Sequence, residues 1–136
     1  MVRSEADVQG SRAELALARG DFAAARQIAK TVRGRFEELR DERGLHQIGK
    51  LFGDIALASG EASEAYQLYA ASVRGHRDVD DPWGQVEGLI GQARAALELG
   101  RGVEARSLAR EARTLAAGIG DAGSAQAADQ IIAAAG

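Results

Sequence analysis

Cysteine is absent from this 136-residue chain, which excludes disulfides and thiolate chemistry and fits the cytosol. Proline occurs once, at Pro82, so little prevents helices from running uninterrupted. Alanine, leucine, arginine and glutamate dominate what remains, a composition that points to an all-α chain. Neither sign of charge prevails: 17 basic against 20 acidic residues give a net charge of −3, leaving no overall field to attract nucleic acid. No apolar run approaches the ~18 residues needed to span a bilayer. The opening MVRSEADVQG has no apolar core of a secretory signal, so the chain reads as cytoplasmic. High alanine, arginine and glycine suggest a GC-rich bacterial genome. By length this is one domain, 1–136, able to bury roughly two-thirds of its unfolded surface.

What is present is a repeat. The stretch Leu51 to Ala70 reads as a helix, a break at Gly60 and a second helix, and it recurs at a spacing of 40 residues. Gly60 aligns with Gly20 and Gly100, and Ala65 with Ala25 and Ala105. Leu68 aligns with Ile28 and Leu108, Ala56 with Ala16 and Ala96, Leu57 with Leu17 and Leu97, and Asp81 with Asp41 and Asp121. A period in this range is the signature of stacked supersecondary units, none of which can bury its apolar face alone.

The units are framed as 4–43, 44–83 and 84–123, with a terminal helix over 121–135. Ser4 is the expected N-cap of a helix reaching about Arg19, and a second helix runs from Phe22 to Leu39. Asp41 caps a helix reaching Ser59. The next spans Ala62 to His76 and fades over Arg77 to Asp80. Asp81-Pro82 is the sharpest start signal, an N-cap aspartate with proline at the first helical position. That helix ends at Leu99-Gly100, and the following one continues to Ala117. Gly53 aligns with Ala13 and Ala93, a column of small residues that would let two helix backbones approach closely. Gly49, Gly88 and Gly91 are read the same way.

Candidate chemistry is sparse. His46 and His76 are the only histidines and have no metal-ligand spacing; His76 falls where a helix dipole would act on it. Gly84-x-x-x-Gly88-x-x-Gly91 follows no strand and lacks the lysine of a phosphate-binding loop. Asp78, Asp80 and Asp81 begin like a calcium loop, but Trp83 stands where its glycine belongs and Leu89 where its bidentate glutamate belongs. Capping and solvation account for these acids, and for Glu37-Glu38 and Asp41-Glu42. No nucleophile elbow supports a hydrolytic triad. The sequence thus predicts no enzyme, cofactor or metal. Trp83 at a helix mouth would serve as a partner hot spot or as a staple holding the loop.

Gly49-x2-Phe52-Gly53-x2-Ala56 followed by Ala65-x3-Tyr69 resembles the tetratricopeptide repeat, whose signature is W-x2-L-G-x2-Y and then A-x3-F. The first unit places Gln9, Arg12, Ala13, Ala16, Ala25 and Ala29 at those positions, and the third Leu89, Gln92, Ala93, Ala96, Ala105 and Ala109. The break glycine and the small residue five later match in all three units; most large aromatics and the signature proline do not. The longer unit is similar to the repeats of Leu-Gly-Asn-repeat scaffold proteins and of large bacterial transcriptional regulators and signalling ATPases.

The resemblance implies a right-handed helical-repeat solenoid of three helix pairs plus a terminal helix, serving protein–protein interaction as a scaffold. It also implies that the first helix of each pair lines a concave groove. The lining positions would be Asp7, Gly10, Glu14, Leu17 and Ala18, then Gln47, Lys50, Asp54, Leu57 and Ala58, then Glu87, Ile90, Arg94, Leu97 and Glu98. Five acids against two cations there predict a negative groove. Arg26, Lys30, Arg33 and Arg35 predict a positive opposite face. Such a groove suits a protein or peptide with basic residues, although the same charges would also serve simply as a solvated face. The family's carboxylate clamp needs lysine and asparagine where Gly10 and Glu14 stand, which speaks against chaperone C-termini as partners. Ile131 and Ile132 on the last helix lead to two further expectations: a following repeat that covers them, or homodimers that pair through the terminal helices.

Overall fold

Seven helices account for nearly all of residues 5–136, the part of the chain that the computed structural model describes, with side chains from Val8 onward; Ser4 lies outside it. They are α1 (Glu5–Ala18), α2 (Phe22–Leu39), α3 (Glu42–Ala58), α4 (Ala62–Asp78), α5 (Pro82–Glu98), α6 (Gly102–Gly118) and α7 (Ala122–Ala135). Among the described residues there is no strand. Helix α4 runs two residues past the expected His76, and α6 one residue past Ala117.

The junctions explain the regularity. Residues 20, 40, 60, 80, 100 and 120 all have positive φ, so the 40-residue unit is two equal steps of 20. At each of them two N–H groups reach back to carbonyls of the helix just ended. Gly60 donates to Leu57 and Glu61 to Ala56; Gly100 donates to Leu97 and Arg101 to Ala96. This is the Schellman closure, which satisfies carbonyls that would otherwise be orphaned at a helix end. Glycine takes the left-handed position at four of the six junctions; Arg40 and Asp80, at φ of 52° and 54°, take it at the other two. The next helix then starts at once. The carboxylates of Asp21, Asp41, Asp81 and Asp121 accept from the N–H groups of Ala24, Gly44, Gly84 and Ser124, satisfying one orphan donor each. Glu61 and Arg101 stand at the same place before α4 and α6 without a side-chain cap.

Each helix packs on the next along the chain. The odd-numbered helices also approach one another backbone to backbone, α1 on α3, α3 on α5 and α5 on α7, whereas the even-numbered α4 and α6 meet only through side chains, Tyr66 with Glu104 and Arg77 with Glu111. The array therefore bends with the odd helices on the inside, and they form its inner face. The helix-to-helix core is built largely from alanine: Ala25, Ala65 and Ala105 are each fully buried, as are Ala29, Ala109, Ala13 and Ala93. Small side chains let the helix axes approach closely, so many weak dispersion contacts replace a few large apolar anchors.

At Gly53 the small-residue column makes room for a side chain and not for a neighbouring backbone. A Cβ on Gly53 would lie 2.9 Å from the ring of Tyr69, and one on Gly91 2.3 Å from the same ring. Gly88 makes room for Val73, Gly44 for Phe36, Gly75 for His46 and Gly84 for His76. These glycines are notches that receive side chains. Gly49 faces open space, so close packing does not explain it.

The terminal isoleucines also depart from expectation. Ile131 is 5% exposed and belongs to the core shared by α4 to α7, with Ile132 packed against that core. The outward side of α7 is instead Gln126, Asp129, Gln130 and alanines.

Candidate functional site

The inner face carries a trough built from residues one turn apart. On α3, Gln47, Lys50 and Asp54 share a face because residues at three- and four-residue steps stack above one another. Glu87, Ile90, Gly91 and Arg94 do the same on α5. Glu14 of α1 joins Gln47, Lys50, Leu51, Asp54, His76 and Glu87 around a cleft of about 250 Å³. A second cleft of about 220 Å³ adjoins it, lined by Lys50, Asp54, Glu87, Ile90, Gly91, Arg94 and, from α7, Gly123, Ser124 and Ala127. Lys50, Asp54 and Glu87 belong to both, so the trough is continuous.

Asp54 is its best-held group. The hydroxyl of Tyr69, a residue 1% exposed, donates to Asp54 Oδ1 from beneath. Lys50 Nζ lies 2.9 Å from Asp54 Oδ2. Burial works to lower the Lys50 pKa, but the charge and hydrogen bond of Asp54, with Glu87 and Glu14 further off, outweigh it and hold the ammonium above its ordinary value. Burial and the Asp54 charge push the Tyr69 hydroxyl far above its ordinary range, so it remains a donor at all ordinary pH values.

Of the residues expected in the groove, Glu14, Gln47, Lys50, Asp54, Glu87, Ile90 and Arg94 meet here. Ile90 is only 6% exposed and serves as apolar floor more than as an open contact. Glu98 is elsewhere, on a separate shallow cleft with Gly60, Glu61, Ala62, Ser63, Glu64 and Leu99. The side chain of Asp7 lies outside the described residues. The described trough thus holds three carboxylates and two cations, with the acids concentrated in the first cleft, where Lys50 is the single cation. On the opposite face Lys30 is exposed, and the three arginines expected beside it each have an acidic partner. Arg26 pairs with Glu61 at 2.8 Å, Arg33 with Glu37 at 3.8 Å and Arg35 with Glu38 at 3.5 Å. The Arg33 guanidinium also covers the ring of Phe52.

His76 lies in the last turn of α4, as its position in the sequence predicts, but it is buried there, 1% exposed, and its ring meets that of His46 edge-on at 5.7 Å. Asp81 Oδ2 lies 3.3 Å from His76 Nδ1, out of line for a hydrogen bond, and 3.5 Å from Arg43 Nε. The other carboxylate oxygen of Asp81 caps α5 through Gly84 N–H. Burial lowers the His76 pKa, opposed by the charge of Asp81. Only the glycines at 75 and 84, which admit the two rings, carried a signal for this cluster in the sequence. Ser124, one of several further lining residues the sequence did not single out, donates its hydroxyl to Asp121 at 2.6 Å, which keeps that carboxyl below its ordinary pKa. Trp83 is 53% exposed on the first turn of α5.

Among the described residues no three metal-ligating side chains converge on one point, and no helix is long and apolar enough to cross a membrane. No family model matches the chain, and no curated protein matches it.

Proposed function

We propose that the chain is a tetratricopeptide-like interaction module that holds a peptide or partner protein bearing basic residues in its inner trough. It would act as a cytoplasmic scaffold or as part of a larger bacterial signalling or transcriptional regulator. The observation that carries this reading is the convergence of Glu14, Asp54 and Glu87 from three different helices on one cleft. Opposite charge on the partner gives such a surface both orientation and a fast encounter. The reading assigns no catalysis to the trough. A nucleophilic lysine needs a depressed pKa, and Lys50 is held above its ordinary value. Nor does the reading call on a cofactor, nucleic acid or membrane.

The test is a screen of basic peptides against the chain and against Glu14→Lys and Glu87→Lys, which reverse charge at exposed positions. The expected result is binding that falls with added salt and is lost in both variants. Binding that survives both reversals would overturn the reading.

Self-assembly remains the second reading, now resting on α1, whose Val8 and Leu15 are 44% and 51% exposed, rather than on the isoleucines of α7. Light scattering over a range of concentrations separates the two. A mass that rises with concentration and stays monomeric in Val8→Ser with Leu15→Ser would favour assembly; a constant monomer mass would remove it.

A further inference from the structure

We infer that His76 is a proton-operated latch at the turn between α4 and α5. While neutral, its ring closes the end of α4 on the start of α5. On taking a proton it releases the last turn of α4 and the first turn of α5, and the rest of the array stays folded. The inference stands apart from what the inner trough binds.

Three side chains of α4 seat in three notches of α5: Tyr69 at Gly91, Val73 at Gly88 and His76 at Gly84. Tyr69 keeps its proton at all ordinary pH values and valine has none to exchange, so only the contact nearest the turn changes charge near neutrality. His76 is 1% exposed, and its Nδ1 lies 2.2 Å from where a Cβ on Gly84 would stand, so the ring rests against the backbone of α5 itself. That nitrogen is buried without a hydrogen-bond partner. Asp81 is close but committed elsewhere. Its Oδ1 accepts from Gly84 N–H at 3.1 Å and so caps α5, while its Oδ2 is 3.3 Å from Nδ1, out of line, and 3.5 Å from Arg43 Nε. Turning the carboxylate to meet an imidazolium would cost the cap.

The charges around the ring do not compensate for its burial. From α3 come Arg43 and His46, whose ring stands edge-on to that of His76 at 5.7 Å; from α5 come Glu87 and the capping Asp81. Glu111 of α6 pairs with Arg77, the next residue of α4. Burial disfavours the imidazolium and outweighs Asp81 and Glu87, which favour it, while His46 adds to the burial, so the closed ring takes a proton less readily than a solvated one. A group that binds its proton more weakly when closed must favour the open form as pH falls. The release is confined to the turn. Ser72 donates to the His46 carbonyl at 3.0 Å and keeps α4 on α3, and the Val73 and Tyr69 contacts deeper in the hairpin do not change charge. At the turn itself Asp80 holds a left-handed φ of 54°, which opening relieves.

The experiment is amide hydrogen exchange on the full chain at pH 7.5 and 5.5, scored as protection relative to the free-peptide rate at each pH and repeated in low urea. An NMR titration follows the two histidine rings. Over residues 77–87 protection is expected to fall by about tenfold, the gain in proton binding one unit below an ordinary pKa of ~6.5. That loss should not grow with urea, because a local opening exposes little surface. His76→Gln, its fold checked by melting, should keep the same protection at both pH values. Protection that holds in the wild type, or a loss that grows with urea as global unfolding does, would overturn the latch. So would a loss that persists in His76→Gln. If that variant does not fold, the wild type decides alone. The His76 ring should then titrate over the pH range in which protection is lost, and a ring that titrates at full protection would overturn the latch. None of these outcomes bears on the trough reading.

Discussion

Tyr69 of α4 stands over Gly53 of α3, its ring filling the space that a Cβ at 53 would take, while its hydroxyl reaches Asp54 one residue along. The same ring closes over Gly91 of α5. The other two units carry alanine at the place of Tyr69, as Ala29 and Ala109, and alanine at the place of Gly53, as Ala13 and Ala93. Ring and notch have therefore been exchanged together, large for small across one contact. A core side chain thus ties three helices to the trough's central carboxylate.

That exchange predicts a coupled pair. Gly53→Ala should destabilise the chain by about 2 kcal/mol, the usual scale of overpacking against a ring that cannot swing away. In a Tyr69→Ala background the same change should cost less than about 0.5 kcal/mol, because it recreates the pairing of the other units. Urea unfolding of the four proteins measures the coupling. Equal costs in the two backgrounds would show that the ring does not occupy the notch.

Tyr69→Phe keeps the ring and removes only the hydroxyl. Asp54 then loses its donor from beneath, at an expected cost of about 1.5–3 kcal/mol for a hydrogen bond to a charged group. The peptide affinity of the trough should fall as well, because Asp54 is no longer held in place. A variant with wild-type stability would deny the bond.

Stability should fall on mild acidification. The folded state holds the His76 pKa below its ordinary 6.5, so the unfolded chain binds more protons once pH drops under that value. The contribution of His76 is whole above pH 6.5 and is lost as pH falls toward the folded pKa, at no more than ~1.4 kcal/mol per pH unit. Asp81, Arg43, His46 and Glu87 face this group and set how far the loss extends. Melting temperatures between pH 7.5 and 5.5 should decline in the wild type and decline less in His76→Gln. Parallel profiles would place the titration elsewhere.

Arg40 occupies a left-handed position that glycine fills at four other junctions. Arg40→Gly should stabilise by about 0.5–1 kcal/mol, the steric relief minus the entropy that glycine loses on folding. Asp80→Gly should gain less, since aspartate tolerates this conformation better than arginine does. Thermal melts rank the two, and a gain at Asp80 exceeding that at Arg40 would contradict the argument.

The sequence by itself determined the helices, their order and their turns. Capping aspartates, break glycines and the Asp81-Pro82 start act within one turn of the chain, so their consequences are local and legible residue by residue. It also determined which positions of one helix share a face, whereas the expectation that Glu14, Lys50, Asp54, Glu87 and Arg94 line one groove came from the resemblance of the repeat to a known family. Only the tertiary structure decided what meets across helices: Tyr69 over Gly53 and Gly91, His76 under the trough, Ile131 turned inward and Glu98 left outside. Those outcomes depend on how far each helix rotates about its own axis against its neighbours. That rotation is set jointly by side chains distant in sequence, a large ring in one helix seating where another carries no Cβ, and no single stretch of the chain contains both halves of the fit.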